Sequence, residues 1–315
     1  MPAPILSYIK GILQGYRITA TYLSRQLGFS HDRLTRGLHR KYSWKKYWYR
    51  LIRIFFGCLK SGFLILDDTV IAKPFGKLFP GGSVVWDSSK ECPVFGYNLV
   101  FLCWSNGKFT IPLAWKWYKK NGKSKTILAQ ELLKHVRDTL KLKPEMVLFD
   151  SWYASQDIIN QLTDYGWYFV TRLRKNRIIN GCKINQDLIE NGDQLVGPIT
   201  GKCRVRVFKN EDRYLATNRI DLTPQEILVW YTKRWKIEDL FRFLKDQLHL
   251  EQCQARSKTA QKTHLFSCLI AYLVMVKQQQ TKPNITLYRL KESWLHSRTF
   301  SRCQWNHFSQ VLMSA

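Results

Sequence analysis

Apolar positions over residues 1–60 recur at helical spacing, with no strand-like alternation. Within this stretch, ATYLSRQLGFSHDRLTRGLHRK predicts a helix, a turn at Gly28 and a second helix capped by Ser30. Leu23, Leu27, Leu34 and Leu38 fall on the inward side, and Arg33, Arg36, His39 and Arg40 on the outward side. The pattern fits a helix-turn-helix whose basic second helix suits a major groove or backbone phosphates, and it equally fits an ordinary helical hairpin.

From residue 61 the texture changes. GFLILDDTVI is a nearly continuous apolar run, as in a strand buried on both faces, and it holds Asp67 and Asp68. A Gly/Pro/Lys-rich loop is expected over residues 72–95. It leads to YNLVFLCW and FTIPLAWKW, two strands joined by a hairpin at Asn106–Gly107. SKTILAQELLKHVRDTLK reads as a helix, EMVLFD as a short strand ending on Asp150, and SQDIINQLTDYG as a helix closed by Gly166. The order of three strands, helix, strand, helix predicts an α/β fold.

Residues 167–222 (WYFVTRLR, CKINQDLI, CRVRVFK and RYLATN) alternate like short strands. TPQE then supplies Thr223 as N-cap, Pro224 at N1 and Glu226 at N3, a capping box opening one long helix to about Leu250. LFSCLIAYLVMV is shorter than the about 20 residues a membrane span needs, so a buried core helix is expected there. The resulting division is a helical region 1–60, an α/β core 61–166 resumed at 223–280, a β-rich insertion 167–222 and a tail 281–315.

Composition sharpens this picture. An apolar content of 45%, with 12 Trp and 17 Phe, supports a sizeable core. Lys plus Arg number 50 against 23 Asp plus Glu, a formal charge of +27, which points to a polyanionic partner, nucleic acid before acidic membrane. The eight cysteines show no C-x-x-C pair or zinc spacing, so reduced thiols are expected. With no basic-apolar-small leader at the start, a cytoplasmic protein is expected.

The chemistry concentrates in YTKRWKIEDLFRFLK. On one continuous helix, Arg234, Glu238 and Lys245 would lie about 60°, 20° and 40° to one side of Tyr231, a narrow polar stripe beside the apolar one. A carboxylate there needs a cation nearby, and Arg234 or Lys245 would serve as a purely structural ion-pair partner. Asp150 ends a strand and precedes a helix, where α/β sheets present functional groups, and the first strand holds two more acids. Three converging carboxylates suit Mg²⁺, and two such ions roughly 3.5–4 Å apart promote in-line displacement at phosphorus.

The stretch from Tyr231 through Arg234 and Glu238 to Lys245 also resembles the Tyr-Arg-Glu-Lys box of DDE transposases of the insertion-sequence-four type. LILDDTVI resembles that family's first acidic strand and VLFDSWYAS its second. The resemblance implies an RNase H-like catalytic domain, a mixed sheet flanked by helices with a β-rich insertion, and cut-and-paste DNA transposition. It implies Asp68, Asp150 and Glu238 as ligands of two Mg²⁺ (or Mn²⁺), with Asp67 as the alternative first ligand. It further implies phosphate contacts from Tyr231, Arg234 and Lys245, and a homodimer on double-stranded DNA that carries element ends and target. A metal nuclease without strand transfer, a catalytically silent repressor or scaffold, and an RNA-binding protein are the competing readings.

Lesser signals remain. VTRLRKNRIING brings Arg172, Arg174, Lys175 and Arg177 beside the core, a candidate DNA-backbone contact. WKWYKKNGKSK mixes aromatics with five lysines, fitting either base stacking or a solvated hairpin end. FPGGS lacks the helix and Lys-Ser/Thr of a phosphate loop. His249 and His264 are expected to be structural.

Overall fold

The computed structural model describes residues 1–59, 61–74, 76, 79–87, 90–185, 194–282, 284–296 and 302–314. In chain order the first helices are α1 (Ala3–Leu13), α2 (Ala20–Leu27), α3 (His31–His39) and α4 (Trp44–Phe56). Strands β1 (Phe63–Ala72), β2 (Ser83–Asp87), β3 (Cys92–Ser105) and β4 (Thr110–Tyr118) come next, followed by α5 (Lys125–Asp138), β5 (Val147–Phe149) and α6 (Gln156–Asp164). Then come β6 (Phe169–Leu173), β7 (Ile178–Ile179), β8 (Cys182–Lys183), β9 (Gln194–Thr200), β10 (Cys203–Asn210) and β11 (Arg213–Thr217). The remaining helices are α7 (Pro224–Thr232), α8 (Trp235–Asp246), α9 (Lys258–Gln280), α10 (Leu287–His296) and α11 (Arg302–Ser314).

Four of these differ from the sequence reading. Inside the expected loop 72–95, Ser83–Asp87 pairs antiparallel with the early part of β3, which starts at Cys92 rather than Tyr97. CKINQDLI holds only the two-residue β8 and a helical turn at Ile184–Asn185 among its described residues, and its residues 186–189 lie outside the described ones. The expected single helix to Leu250 is two helices, α7 and α8, separated at Lys233–Arg234 and ending at Asp246. Residues expected as a tail form α10 and α11.

Two compact units emerge, each discontinuous in sequence. One comprises Met1–Cys58, Val70–Tyr97 and Leu240–Ala315; the other comprises Leu59–Thr69 and Asn98–Asp239. In the first, α9 is buried on all sides from Ser267 to Val276, as its apolar run predicts. The described residues contain no helix long and apolar enough to cross a membrane. Gly28 closes α2 in the left-handed conformation, φ 61°, and α3 exposes Arg33, Arg36 and Arg40 while burying Leu34 and Leu38. Leu23 is also buried, but Leu27 is only half-buried, and Ser30 makes no capping hydrogen bond with its side chain.

His264 is structural, as expected. It is buried, with Nδ1 2.8 Å from the Tyr8 hydroxyl and Nε2 3.0 Å from the His249 carbonyl, and burial pushes it down to about 3. Lys291 is buried too, donating to the carbonyls of Ile12 (2.7 Å) and Leu13 (2.6 Å) at the negative end of α1.

In the second unit the strands lie in the order β4, β3, β1, β5, β6, β11, β10, β9. β1, β5 and β6 are mutually parallel, and the β3–β4 hairpin and the β6–β11–β10–β9 ribbon are antiparallel. Leu64, Ile65 and Leu66 pair with Val147, Leu148 and Phe149, all fully buried, which accounts for the continuous apolar spelling of both strands. Because Leu66 stands opposite Phe149 in parallel register, the next residues along, Asp67 within β1 and Asp150 just past β5, stand at the same level. The entrance to β1 is equally constrained. Gly62 has φ 157°, and a Cβ there would lie 2.6 Å from Trp104 Nε1 and 2.7 Å from the Ser105 carbonyl oxygen.

Two outcomes follow from this packing. Gly62→Ala is expected to destabilise the protein by about 1–3 kcal/mol, read as a lower denaturant midpoint at unchanged slope. Burial lowers Lys291 from 10.5 to about 7, so the unfolded chain binds the proton more readily between those values, and stability rises with pH across that window. Lys291→Met should flatten the rise in thermal unfolding curves taken at pH 7, 8 and 9.

Candidate active site

β1 carries its two acids in an otherwise apolar strand, where neighbouring side chains take opposite directions. Their partners are accordingly distinct. Asp67 Oδ2 accepts from Arg234 Nη1 at 2.8 Å. Asp68 Oδ2 accepts from Lys125 Nζ (2.7 Å) and Asn98 Nδ2 (2.9 Å), and its Oδ1 accepts from the Tyr153 hydroxyl (2.7 Å). Asp150, one residue past β5, turns its own chain: Oδ1 accepts from the backbone N–H of Trp152 (3.0 Å) and Tyr153 (3.4 Å).

Glu238 reaches this group through Arg234. The α7 helix opens on the expected capping box, with Thr223 Oγ1 accepting from Glu226 N and the Glu226 carboxylate accepting from Thr223 N. The chain then tightens: Lys233, Arg234, Lys236 and Ile237 each donate to the carbonyl three residues back. Beyond this turn, Arg234 Nη2 donates to Glu238 Oε1 at 2.5 Å across one turn of α8. The guanidinium therefore bridges Asp67 and Glu238, with its carbon 5.7 Å from the centre of the Tyr231 ring. Lys233 lies over Trp230 at 3.6 Å, which fixes the residue before the bridge.

Electrostatics follow the burial. Burial, joined by repulsion from Asp150 and Asp68 and opposed by Arg234, pushes Asp67 up to about 8. Asp150 is raised for the same first reason, again with Arg234 opposing and Asp68 adding. Burial acts to lower Arg234, but Asp67, Tyr231 and Glu238 outweigh it and the guanidinium is held above its ordinary value. Arg234 Nε and Asn98 Oδ1 are buried without a hydrogen-bond partner in this same group.

The second unit thus brings Asp67, Asp68, Asp150, Tyr231, Arg234 and Glu238 into one connected network. Among the described residues, no three acidic, His or Cys side chains are gathered in a metal-holding arrangement; Arg234 bridges Asp67 and Glu238, and Lys125 pairs with Asp68. Lys245 belongs to the other unit, its ammonium 4.0 Å from Glu251. Arg172, Arg174 and Lys175 are exposed. Arg174 lies over the Trp152 ring at 5.7 Å and lines a cavity of about 800 Å³ with Ser151, Trp152, Gln156 and Arg177.

Asn98, Lys125 and Tyr153 were not singled out from sequence. A buried asparagine in an apolar strand carries the same signal as an aspartate there. Tyr153 lies within the second acidic motif, and Lys125 opens a helix at the end that disfavours cations.

Arg234 also decides how the acids are tolerated. Arg234→Ala should cost about 3–5 kcal/mol by leaving half-buried carboxylates uncompensated, and adding Asp67→Asn should recover part of it. Chemical denaturation of the two single variants and the double variant checks this, and strict additivity would remove the bridge as a stabilising contact.

A model of the family described as "Transposase DDE domain" matches residues 59–274. The "Putative transposase for insertion sequence element IS4SA" of Synechocystis sp. is 29% identical over 158 residues, 45% of this chain and 44% of that protein, so the match spans less than half of the relative's length. Among solved structures, the piggyBac transposase in a synaptic complex with hairpin DNA superposes over 98% of this chain and 76% of its own, with TM-score 0.59 and 11% identity, a likeness of fold. Matched by that family model over more than half of its length, the chain belongs to the transposase DDE domain family.

Proposed function

We propose that this protein is an insertion-sequence transposase that cuts DNA at the element's ends and joins them to a target. The observation that carries the reading is the network of Asp67, Asp68, Asp150 and Glu238, in which Arg234 bridges Asp67 and Glu238, on a chain of formal charge +27. The related insertion-sequence protein and the piggyBac complex with DNA support the same partner, a DNA duplex.

The residues fit a divalent metal. The donors are all oxygens, Asp67 and Asp150 are disfavoured as anions by burial and mutual repulsion, and Asn98 Oδ1 is an orphaned buried oxygen beside Asp68. Asp68, with Asp67 as alternative, Asp150 and Glu238 would hold two Mg²⁺ or Mn²⁺. When bound, such ions supply Lewis-acid polarisation at phosphorus and neutralise the leaving oxygen.

Arg234 turns part of its fork to phosphate and Tyr231 adds a phosphate contact, and Lys245, on the other unit, contacts DNA phosphate as well. Water attacks the phosphodiester at the element end, the P–O3′ bond breaks, and the departing oxygen becomes a 3′-hydroxyl. That hydroxyl then attacks a target phosphodiester, joining element to target as a second P–O3′ bond breaks. The exposed Arg33, Arg36 and Arg40 of α3, with Arg172, Arg174 and Lys175, contact the DNA backbone. The working form is a homodimer on paired ends, cytoplasmic and associated with the nucleoid.

Mg²⁺-dependent cleavage and joining of duplexes covering the DNA on either side of the coding sequence tests this. Asp68→Ala, Asp150→Ala and Glu238→Ala should each lose at least roughly a thousandfold in cleavage with DNA binding retained, as members of one catalytic unit do. Parallel assays of Asp67→Ala and Asp68→Ala choose between the two β1 acids. Binding should fall steeply with salt as counterions are released. A wild-type protein that binds these ends without cutting them in Mg²⁺ or Mn²⁺ would be a DNA-binding repressor or scaffold instead.

A further inference from the structure

The lysines of WKWYKKNGKSK separate by partner. Lys116 and Lys123 pair with Glu131 of α5, and Lys119 and Lys120 are exposed. Lys125 alone among the five turns to the acidic network, and its position is costly. It is the first residue of α5, after the Ser124 N-cap, at the end where backbone N–H groups already present positive charge, and the first turn has no acid to offset it. A cation there opposes the helix dipole by about 0.3–1 kcal/mol. What holds it lies outside the helix. Its ammonium is 2.7 Å from Asp68 Oδ2 and lies over the rings of Tyr118 (5.8 Å) and Trp152 (5.5 Å), with the side chain 20% exposed.

Of the three donors on Asp68, Asn98 and Tyr153 are neutral and Lys125 alone is charged. A divalent cation approaching Asp68 Oδ2 meets that ammonium first and must displace it. The displaced group stays tethered on a flexible stem between two aromatic faces, beside the position a DNA phosphate takes if the acids work on a phosphodiester.

We propose that Lys125 is a catalytic residue with two alternating partners: Asp68 in the free protein, and a non-bridging oxygen of the scissile phosphate once DNA and a divalent cation are bound. The inference rests on the phosphodiester chemistry proposed above. In the free protein the ammonium holds the Asp68 carboxylate in place at 2.7 Å. In the loaded one the same charge meets the phosphate, where negative charge gathers during displacement.

The test pairs two measurements on the full chain, for wild type, Lys125→Ala and Lys125→Gln. Glutamine keeps a donor of similar reach without the charge, so it preserves the fold around Asp68. Mn²⁺ binding without DNA, followed by electron paramagnetic resonance, should tighten roughly tenfold in both variants, the loss of one charge-assisted contact to the competing carboxylate. Single-turnover cleavage of the same duplexes at saturating Mn²⁺ should slow roughly tenfold or more. Opposite movements are the signature; a merely structural lysine would weaken both together. Unchanged or weaker Mn²⁺ binding, or cleavage at the wild-type rate, overturns the assignment of Lys125 while leaving the transposase reading intact. Wild type that binds Mn²⁺ yet cuts no end overturns that reading, and the phosphate contact with it.

Discussion

Compensation of negative charge on a strand that has no business carrying it is the constraint on which the catalytic unit depends. β1 is buried on both faces up to Leu66, and two carboxylates follow at once. Ionised groups so placed are tolerated only when cations and hydrogen-bond donors are brought to them. Arg234 supplies one amino group to Asp67 and another to Glu238, and Lys125, Asn98 and Tyr153 share Asp68. These partners arrive from β3, the start of α5, the loop after β5 and the tight turn before α8, so one electrostatic demand ties together segments far apart in sequence.

The compensation is also incomplete. Asp67 and Asp150 are still pushed upward as acids, and buried polar atoms on Arg234 and Asn98 lack partners. A network built only for stability would close such gaps, because each orphaned buried group costs about 1–3 kcal/mol.

How much of this was legible depended on whether the signal was local. The runs around Leu64–Leu66 and Val147–Phe149 spelled strands covered on both faces, Asn106–Gly107 spelled a hairpin, and Thr223–Glu226 spelled a capped helix, each read within a few residues. β2 was missed because its Val84 and Trp86 face outward, 57% and 62% exposed, so no buried alternation marked it within a glycine-rich stretch. The acids were legible because an aspartate in an apolar strand is anomalous by itself. Lys125 and Tyr153, 57 and 85 residues from Asp68, have ordinary neighbours and acquire their roles only when the chain closes. The break at Lys233–Arg234 has neither glycine nor proline to announce it.

That break gives the spacing of the Tyr231–Arg234–Glu238 motif a geometric meaning. In a tight turn of three residues per repeat, positions three apart eclipse one another; in an α-helix, positions four apart are the facing neighbours. The first interval of the motif crosses the tight turn and the second climbs the α-helix. The two intervals are a record of helical pitch written into the primary structure: an interval of three followed by one of four spells where the winding changes. A residue gained or lost in the first interval would swing the guanidinium about a third of a turn around the axis. Drift in composition is therefore cheaper for this segment than drift in length.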